Sequence, residues 1–218
     1  MSQLVLLIRH AQSQFPPHRL VGWTPGVGLS EQGRQQASDL AGRLKGVRLA
    51  ALYSSPLDRC LQTAQAVAEG RKLEVVVEEQ VGEVKLGAWQ GRALSSVART
   101  PMWRLVQFVP SQAQFPSGET IRELQRRGVE AVESIRGRHR RGTIAIVSHA
   151  DTIKAVAAHY LGMHLDLFQR LVIANASVTA IGFGDGFPRV LRLSDTGAYD
   201  DFVPSGPRSG APRPRGRS

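Results

Sequence analysis

The 218-residue sequence predicts an α/β fold built on a mostly parallel sheet, from three observations. Short apolar runs, partly β-branched, recur at 4–8, 49–53, 73–77 and 143–147. They are too short for helices and continuous enough for buried strands. Stretches with helical spacing of apolar residues lie between them. Several of the runs break at once into charged or imidazole side chains. That is where open α/β sheets bind ligands, outside the carboxyl ends of their strands.

The elements follow in order. The run 4–8 is a strand that ends in Arg9 and His10. The loop 11–29 carries Pro16, Pro17, Gly22, Pro25, Gly26 and Gly28, and an irregular loop of that length is usually functional. Ser30 is a good N-cap, and Glu31 suits the first turn of a helix over 31–45. Gly33 within that helix implies a close packing partner. The strand 49–53 ends in Ser54-Ser55-Pro56, read as an N-cap serine with Pro at N1 of a helix over 56–69. This puts Arg59 in a first helical turn at a strand's carboxyl end. After the strand 73–77, residues 81–91 form a Gly-punctuated loop that includes Glu83. Residues 94–115 read as short helices and a turn. Trp103, Leu105, Val106 and Phe108 cover something apolar there, which suggests a helical cap at about 92–117.

The longest helix spans about 118–138, with Thr120 and Glu123 as an alternative capping-box start. A basic cluster, 136–141, closes it and favours its dipole. The strand 143–147 ends in Ser148-His149-Ala150-Asp151, and a helix over 151–161 follows. Residues 171–174 and 178–183 read as strands. Gly184-Asp185-Gly186 is a hairpin turn, and 188–193 the return strand. The chain is thus one domain over 1–203 with a Pro/Gly/Arg/Ser tail, 204–218, expected to be disordered.

Bulk composition narrows the classes. The length supports a single core that buries roughly 70% of the unfolded surface. The longest apolar runs are far below the roughly 18 residues of a membrane span. The first apolar run has no positive leader and is broken by Arg9, so no secretory signal is expected. A single cysteine, Cys60, excludes an internal disulfide and fits a reducing cytoplasm, where it reads as a small buried hydrophobe. Asn175-Ala176-Ser177 is then a chance sequon. The formal charge is +10, and four of those charges are arginines of the tail. Such a surface attracts anions. Aromatic content is only 6%, and no motif interleaves aromatics with basic residues, which argues against nucleic acid as the partner.

Arg9, His10, Arg59 and His149 stand at three strand–helix junctions, and Glu83 on a long loop. Two guanidiniums can clamp phosphate oxygens and neutralise charge in a transition state. A neutral imidazole can attack phosphorus and carry the group covalently. A second imidazole can donate to the oxygens, and a carboxylic acid can protonate a leaving alcohol. The arginines supply the positive charge, so neither a metal nor an organic cofactor is called for. Of six histidines only His10 and His149 lie at strand ends, with no acidic cluster, which disfavours a metal-dependent phosphatase. Ser148, His149 and Asp151 are too close in sequence for a hydrolase triad. No Gly-x-Ser-x-Gly, Walker or Gly-x-Gly-x-x-Gly motif is present.

The run Leu7-Ile8-Arg9-His10-Ala11-Gln12-Ser13 resembles the Arg-His-Gly signature of the histidine phosphatase superfamily, which includes cofactor-dependent phosphoglycerate mutases. Gly22-Trp23 with Leu29-Ser30-Glu31-Gln32-Gly33, the segment 53–64 around Arg59, and Glu83 with Gly87-Ala88-Trp89-Gln90-Gly91 agree with it in order. Phe115-Pro116-Ser117-Gly118-Glu119 and Val147-Ser148-His149 complete the pattern. The resemblance covers roughly 3–190. It implies a three-layer sandwich with a helical cap. His10 would be the phosphorylated nucleophile, with Arg9, Arg59 and His149 as the phosphate pocket and Glu83 as proton donor. Ser13, Gly22, Trp23 and Ala150 would lie near the substrate, a small phosphorylated metabolite. Ala11 and Ala150 stand where the family usually has Gly, a costly exchange if either backbone needs positive φ. Asp151 replaces a neutral residue of the mutases, and its carboxylate would repel a second phosphate. The segment from Glu83 to His149 also lacks the larger mutase insertion. Hydrolysis is therefore expected over mutase transfer or non-catalytic anion binding.

Overall fold

The computed structural model describes residues 3–197, so the tail expected to be disordered lies outside the described residues. Among the described residues six strands form one sheet: β1 (Gln3–Arg9), β2 (Leu49–Ser54), β3 (Val75–Val77), β4 (Gly142–Ser148), β5 (Val178–Phe183) and β6 (Arg189–Asp195). The helices are α1 (Glu31–Arg43), α2 (Asp58–Ala68), α3 (Leu94–Val97), α4 (Pro101–Phe108), α5 (Ile121–Gly137) and α6 (Ala150–Tyr160). Strand order is β3-β2-β4-β1-β5-β6. The first four strands run parallel, β5 is antiparallel to β1, and β6 antiparallel to β5.

Side-chain alternation along β1 explains the layers. Leu6 and Ile8 pack with Leu40 of α1 and Ala64 and Val67 of α2. Val5 and Leu7 point to the other face and pack with Val132 and Ile135 of α5 and Ile153 of α6. A third apolar cluster joins Trp89, Val97, Val106 and Phe115 to Ile121, Leu124 and Phe168, seating the cap region on α5 and the loop after α6. None of the helices among the described residues is long and apolar enough to cross a membrane.

Topology puts the chemistry in one place. The chain leaves β1 toward β2 and leaves β4 toward β5, in opposite directions, so the crevice opens between β1 and β4. The two strands end level, with Arg9 paired to Ser148, and His10 N–H donates to Ser148 O at 3.0 Å. Ser55 N–H donates to Val147 O at 2.9 Å, which brings the end of β2 to the same height.

Several local expectations need correction. The second helix starts at Asp58, with Leu57 at its N-cap and no side-chain cap; Ser55, two residues earlier, bonds His149 through its hydroxyl at 2.8 Å and accepts from Leu57 N–H at 3.4 Å. The longest helix takes the alternative start, at Ile121 with the Thr120–Glu123 capping box, rather than the start at about 118. Residues 115–119 instead fold into a tight turn with Ser117 at φ 55°. Residues 171–174 are not a strand, and Arg9 Nη1 donates to the Ile173 carbonyl at 2.6 Å. The strand 73–77 shortens to β3, an edge with Val76 and Val77 exposed. Phe108 does not cover the core; it is 72% exposed while Val106 on the opposite side is buried. The expected close packing at Gly33 is present. A Cβ there would lie 1.9 Å from the Gln12 carbonyl oxygen, so α1 presses on the backbone just past His10.

Candidate active site

His10 and His149 meet edge to face, with ring centroids 5.2 Å apart. Arg59 lies beneath them, fully buried. Its Nε donates to His10 Nε2 at 3.3 Å. Its Nη2 donates to Gly22 O at 2.9 Å and lies 3.3 Å from His149 Nδ1. Glu83 Oε2 sits 3.6 Å from His149 Nδ1. The cleft above has a volume of about 320 Å³ and is lined by Arg9, His10, Ser13, Glu83 and Asn175, with Phe15, Pro17 and Arg19 on the loop side.

Each imidazole is oriented by a bond on its far side. His10 Nδ1 lies 2.7 Å from Ala11 O, so it carries the proton and Nε2 keeps its lone pair toward Arg59. Burial, then the Arg59 charge, hold the His10 pKa down at about 3. Burial, Arg59 and His10 together depress His149 well below the usual histidine range. Ser55 Oγ binds His149 Nε2, and Cys60 Sγ lies 3.4 Å from the same nitrogen, which leaves Nδ1 toward Arg59 and Glu83. Burial pushes the Cys60 thiol up to about 12, so it is an inert thiol at neutral pH. Glu83 shifts the other way. Burial first and the Asp151 carboxylate second raise its pKa, against the pull of Arg59. The site thus holds two neutral imidazoles beside a carboxyl that keeps its proton to higher pH than an ordinary glutamate.

Among the described residues, Arg59 Nη1 and Arg9 Nε are buried N–H donors without an acceptor. Buried donors are nearly always paired, so orphans on the two arginines beside His10 mark where oxygens of an anion belong. No group of three or more His, Cys, Asp or Glu side chains among the described residues is gathered to hold a metal ion.

Of the residues singled out from sequence, Arg9, His10, Arg59, Glu83 and His149 come together, and Ser13 lines the cleft. Gly22, at φ 50°, contributes its carbonyl to Arg59. Trp23 lies behind the acid loop, with its indole N–H on Glu83 O at 2.6 Å. Ala150 opens α6 and packs against the core rather than lining the cleft. Neither Ala11 nor Ala150 has positive φ, so alanine carries no backbone strain at either position. Sequence reasoning missed Ser55 as the His149 anchor. It also missed Asn175, whose amide donates to His10 O at 3.0 Å, and Arg127, which holds the backbone of the Glu83 loop.

Two guanidiniums, two neutral imidazoles and a carboxyl with a raised pKa, gathered at and just beneath one small cleft, define a protein that handles a phosphoryl group. A sequence model described as histidine phosphatase superfamily (branch 1) matches residues 5–196, and the chain belongs to that superfamily. It is 32% identical over 203 residues to phosphoserine phosphatase 1 of Hydrogenobacter thermophilus, covering 91% of this chain and 95% of that one. It is 30% identical over 193 residues to a 2,3-bisphosphoglycerate-dependent phosphoglycerate mutase of Thermoplasma acidophilum, covering 88% and 92%. Among solved structures, YhfR of Bacillus stearothermophilus superposes with a TM-score of 0.84 at 31% identity, covering 89% of this chain and 98% of that one.

Proposed function

We propose that this chain is a metal-independent phosphatase that hydrolyses a small phosphorylated metabolite through a phosphohistidine on His10. The observation that carries the reading is that His10 and Glu83 line one cleft with pKa values pushed in opposite directions, beside buried arginine donors that lack acceptors. His10 Nε2 attacks phosphorus. The ester P–O bond breaks, and the leaving oxygen takes the Glu83 proton, a contribution of about 10²–10⁴-fold. Water then attacks the phosphorus, giving its proton to the Glu83 carboxylate as the P–N bond breaks. Phosphate leaves, His10 is again neutral and Glu83 again acidic.

The remaining groups act on charge and geometry. Arg9 and Arg59 neutralise the phosphoryl oxygens. His149 donates to them from Nδ1 when the Ser55 hydroxyl donates to Nε2. Ser13 and the 15–19 loop border the alcohol portion of the substrate, and Gly22 and Trp23 brace Arg59 and Glu83. Similarity to a phosphoserine phosphatase favours a small phosphorylated metabolite as substrate. Asp151, whose charge is felt at both Arg9 and Glu83, disfavours a second phosphate and hence mutase chemistry. The same reading takes 1–203 as one catalytic domain capped at about 92–117, working in the cytoplasm. The test is hydrolysis of an aryl phosphate in the presence of a chelator. Turnover is expected to persist with chelator and to vanish in His10→Ala. Loss on chelation, or normal turnover in that variant, rejects the mechanism.

A further inference from the structure

Glu83 sits on a loop, yet an acid must hold its place to within a fraction of an ångström. Besides the Trp23 indole on its carbonyl, a buried ion pair outside the cleft fixes it. Arg127, from the middle of α5, is about 9% exposed and uses all five of its N–H donors. Nη1 donates to Gln80 O at 2.6 Å and Gly82 O at 3.0 Å. Nη2 donates to Glu83 O at 2.8 Å and Glu119 Oε1 at 2.7 Å, and Nε donates to Glu119 Oε2 at 2.9 Å. Glu119 completes the grip, since its Oε1 also accepts from Lys85 N–H at 2.7 Å. The pair therefore holds carbonyls at 80, 82 and 83 and the amide at 85, on both sides of the acid. A buried bridge is weak ground for stability in itself. Its choice of partners is what matters, because three of the five donors go to the backbone of one catalytic loop.

We infer that Arg127 and Glu119 are positioning residues for the acid step: the bidentate pair sets the Glu83 backbone so that its carboxyl meets the leaving oxygen. Neither residue is expected to touch the substrate. The inference rests on the reading of Glu83 as proton donor. Lysine at 127 keeps the charge and loses the planar fork, so it loosens the loop without leaving Glu119 unopposed. The test compares an alkyl phosphate, whose leaving group needs the proton, with p-nitrophenyl phosphate, whose leaving group does not. Arg127→Lys is expected to lower kcat for the alkyl ester at least about tenfold, within the range open to a general acid, and for the aryl ester less than about threefold. KM changes little for either. In a Glu83→Gln background the same substitution adds no further slowing, because its effect passes through the missing carboxyl.

Equal slowing of both esters, or a full additional loss in the double variant, overturns the proposal. If Arg127→Lys does not fold, Glu119→Gln, which keeps an oxygen for Lys85 N–H, carries the same comparison. Unfolding of both assigns the pair to the fold alone and overturns the proposal too. A wild-type chain that hydrolyses neither ester refutes the phosphatase reading itself, and this inference with it.

Discussion

The neutrality of His10 has a thermodynamic consequence that is independent of any substrate. In the fold its pKa lies at about 3, mainly from burial and then from Arg59. In the unfolded chain it returns to about 6.5. Between those values the unfolded chain binds a proton that the native chain refuses, so acid favours unfolding. The stability is fully present above about pH 6.5 and is lost as pH falls toward about 3. At about 1.4 kcal/mol per proton per pH unit, the step from about pH 7 to about pH 5 integrates to about 2 kcal/mol from His10 alone. His149 adds to the loss with the same sign, and Glu83, whose folded pKa is raised, opposes it. Comparing wild type with His10→Asn keeps those two groups in both proteins and reads the His10 share together with the part of the His149 shift that His10 causes. Urea unfolding at the two pH values is the assay. The wild type is expected to lose about 2 kcal/mol more than the variant on acidification. An equal loss in both proteins would show that His10 titrates normally in the fold, and the argument for a preformed neutral nucleophile would fail.

Other perturbations bear on separate links. Asp151→Asn removes the charge that helps raise the Glu83 pKa, so the alkaline limb of the kcat/KM profile should move to lower pH. A limb that stays put or moves up would remove Asp151 from the account. Gly33→Ala places a methyl group against the Gln12 carbonyl at 1.9 Å. It should cost about 3 kcal/mol of stability by overpacking and also lower activity, since the pressed backbone adjoins His10. A variant with the wild-type urea midpoint would show that the contact relaxes freely.

The strand ends were legible because their signals are local. The run 4–8 followed by Arg9 and His10, and 143–147 followed by Ser148 and His149, announce both the strands and the place of chemistry within a few residues. Arg59 was readable for the same reason, from its place in a first helical turn. What escaped depends on contacts distant in sequence. Ser55 looked like an N-cap because nothing local shows that His149, 94 residues away, takes its hydroxyl. Residues 171–174 looked like a strand because an apolar run cannot reveal that its carbonyl is claimed by Arg9. Asn175 read only as a chance sequon. Arg127 did leave a signal, for it falls three residues after buried Leu124, on the apolar stripe of α5. A charged residue on an inward helical face asks for a buried partner, and Glu119 is that partner.

The central claim is a covalent bond between His10 Nε2 and phosphorus during turnover. Rapid quenching of the protein with a labelled aryl phosphate, followed by peptide mapping, tests it most directly. A label that is lost in acid, kept in base, confined to His10 and absent from His10→Ala is the predicted result. Steady turnover with no trapped label, or a label carried by another residue, would contradict it.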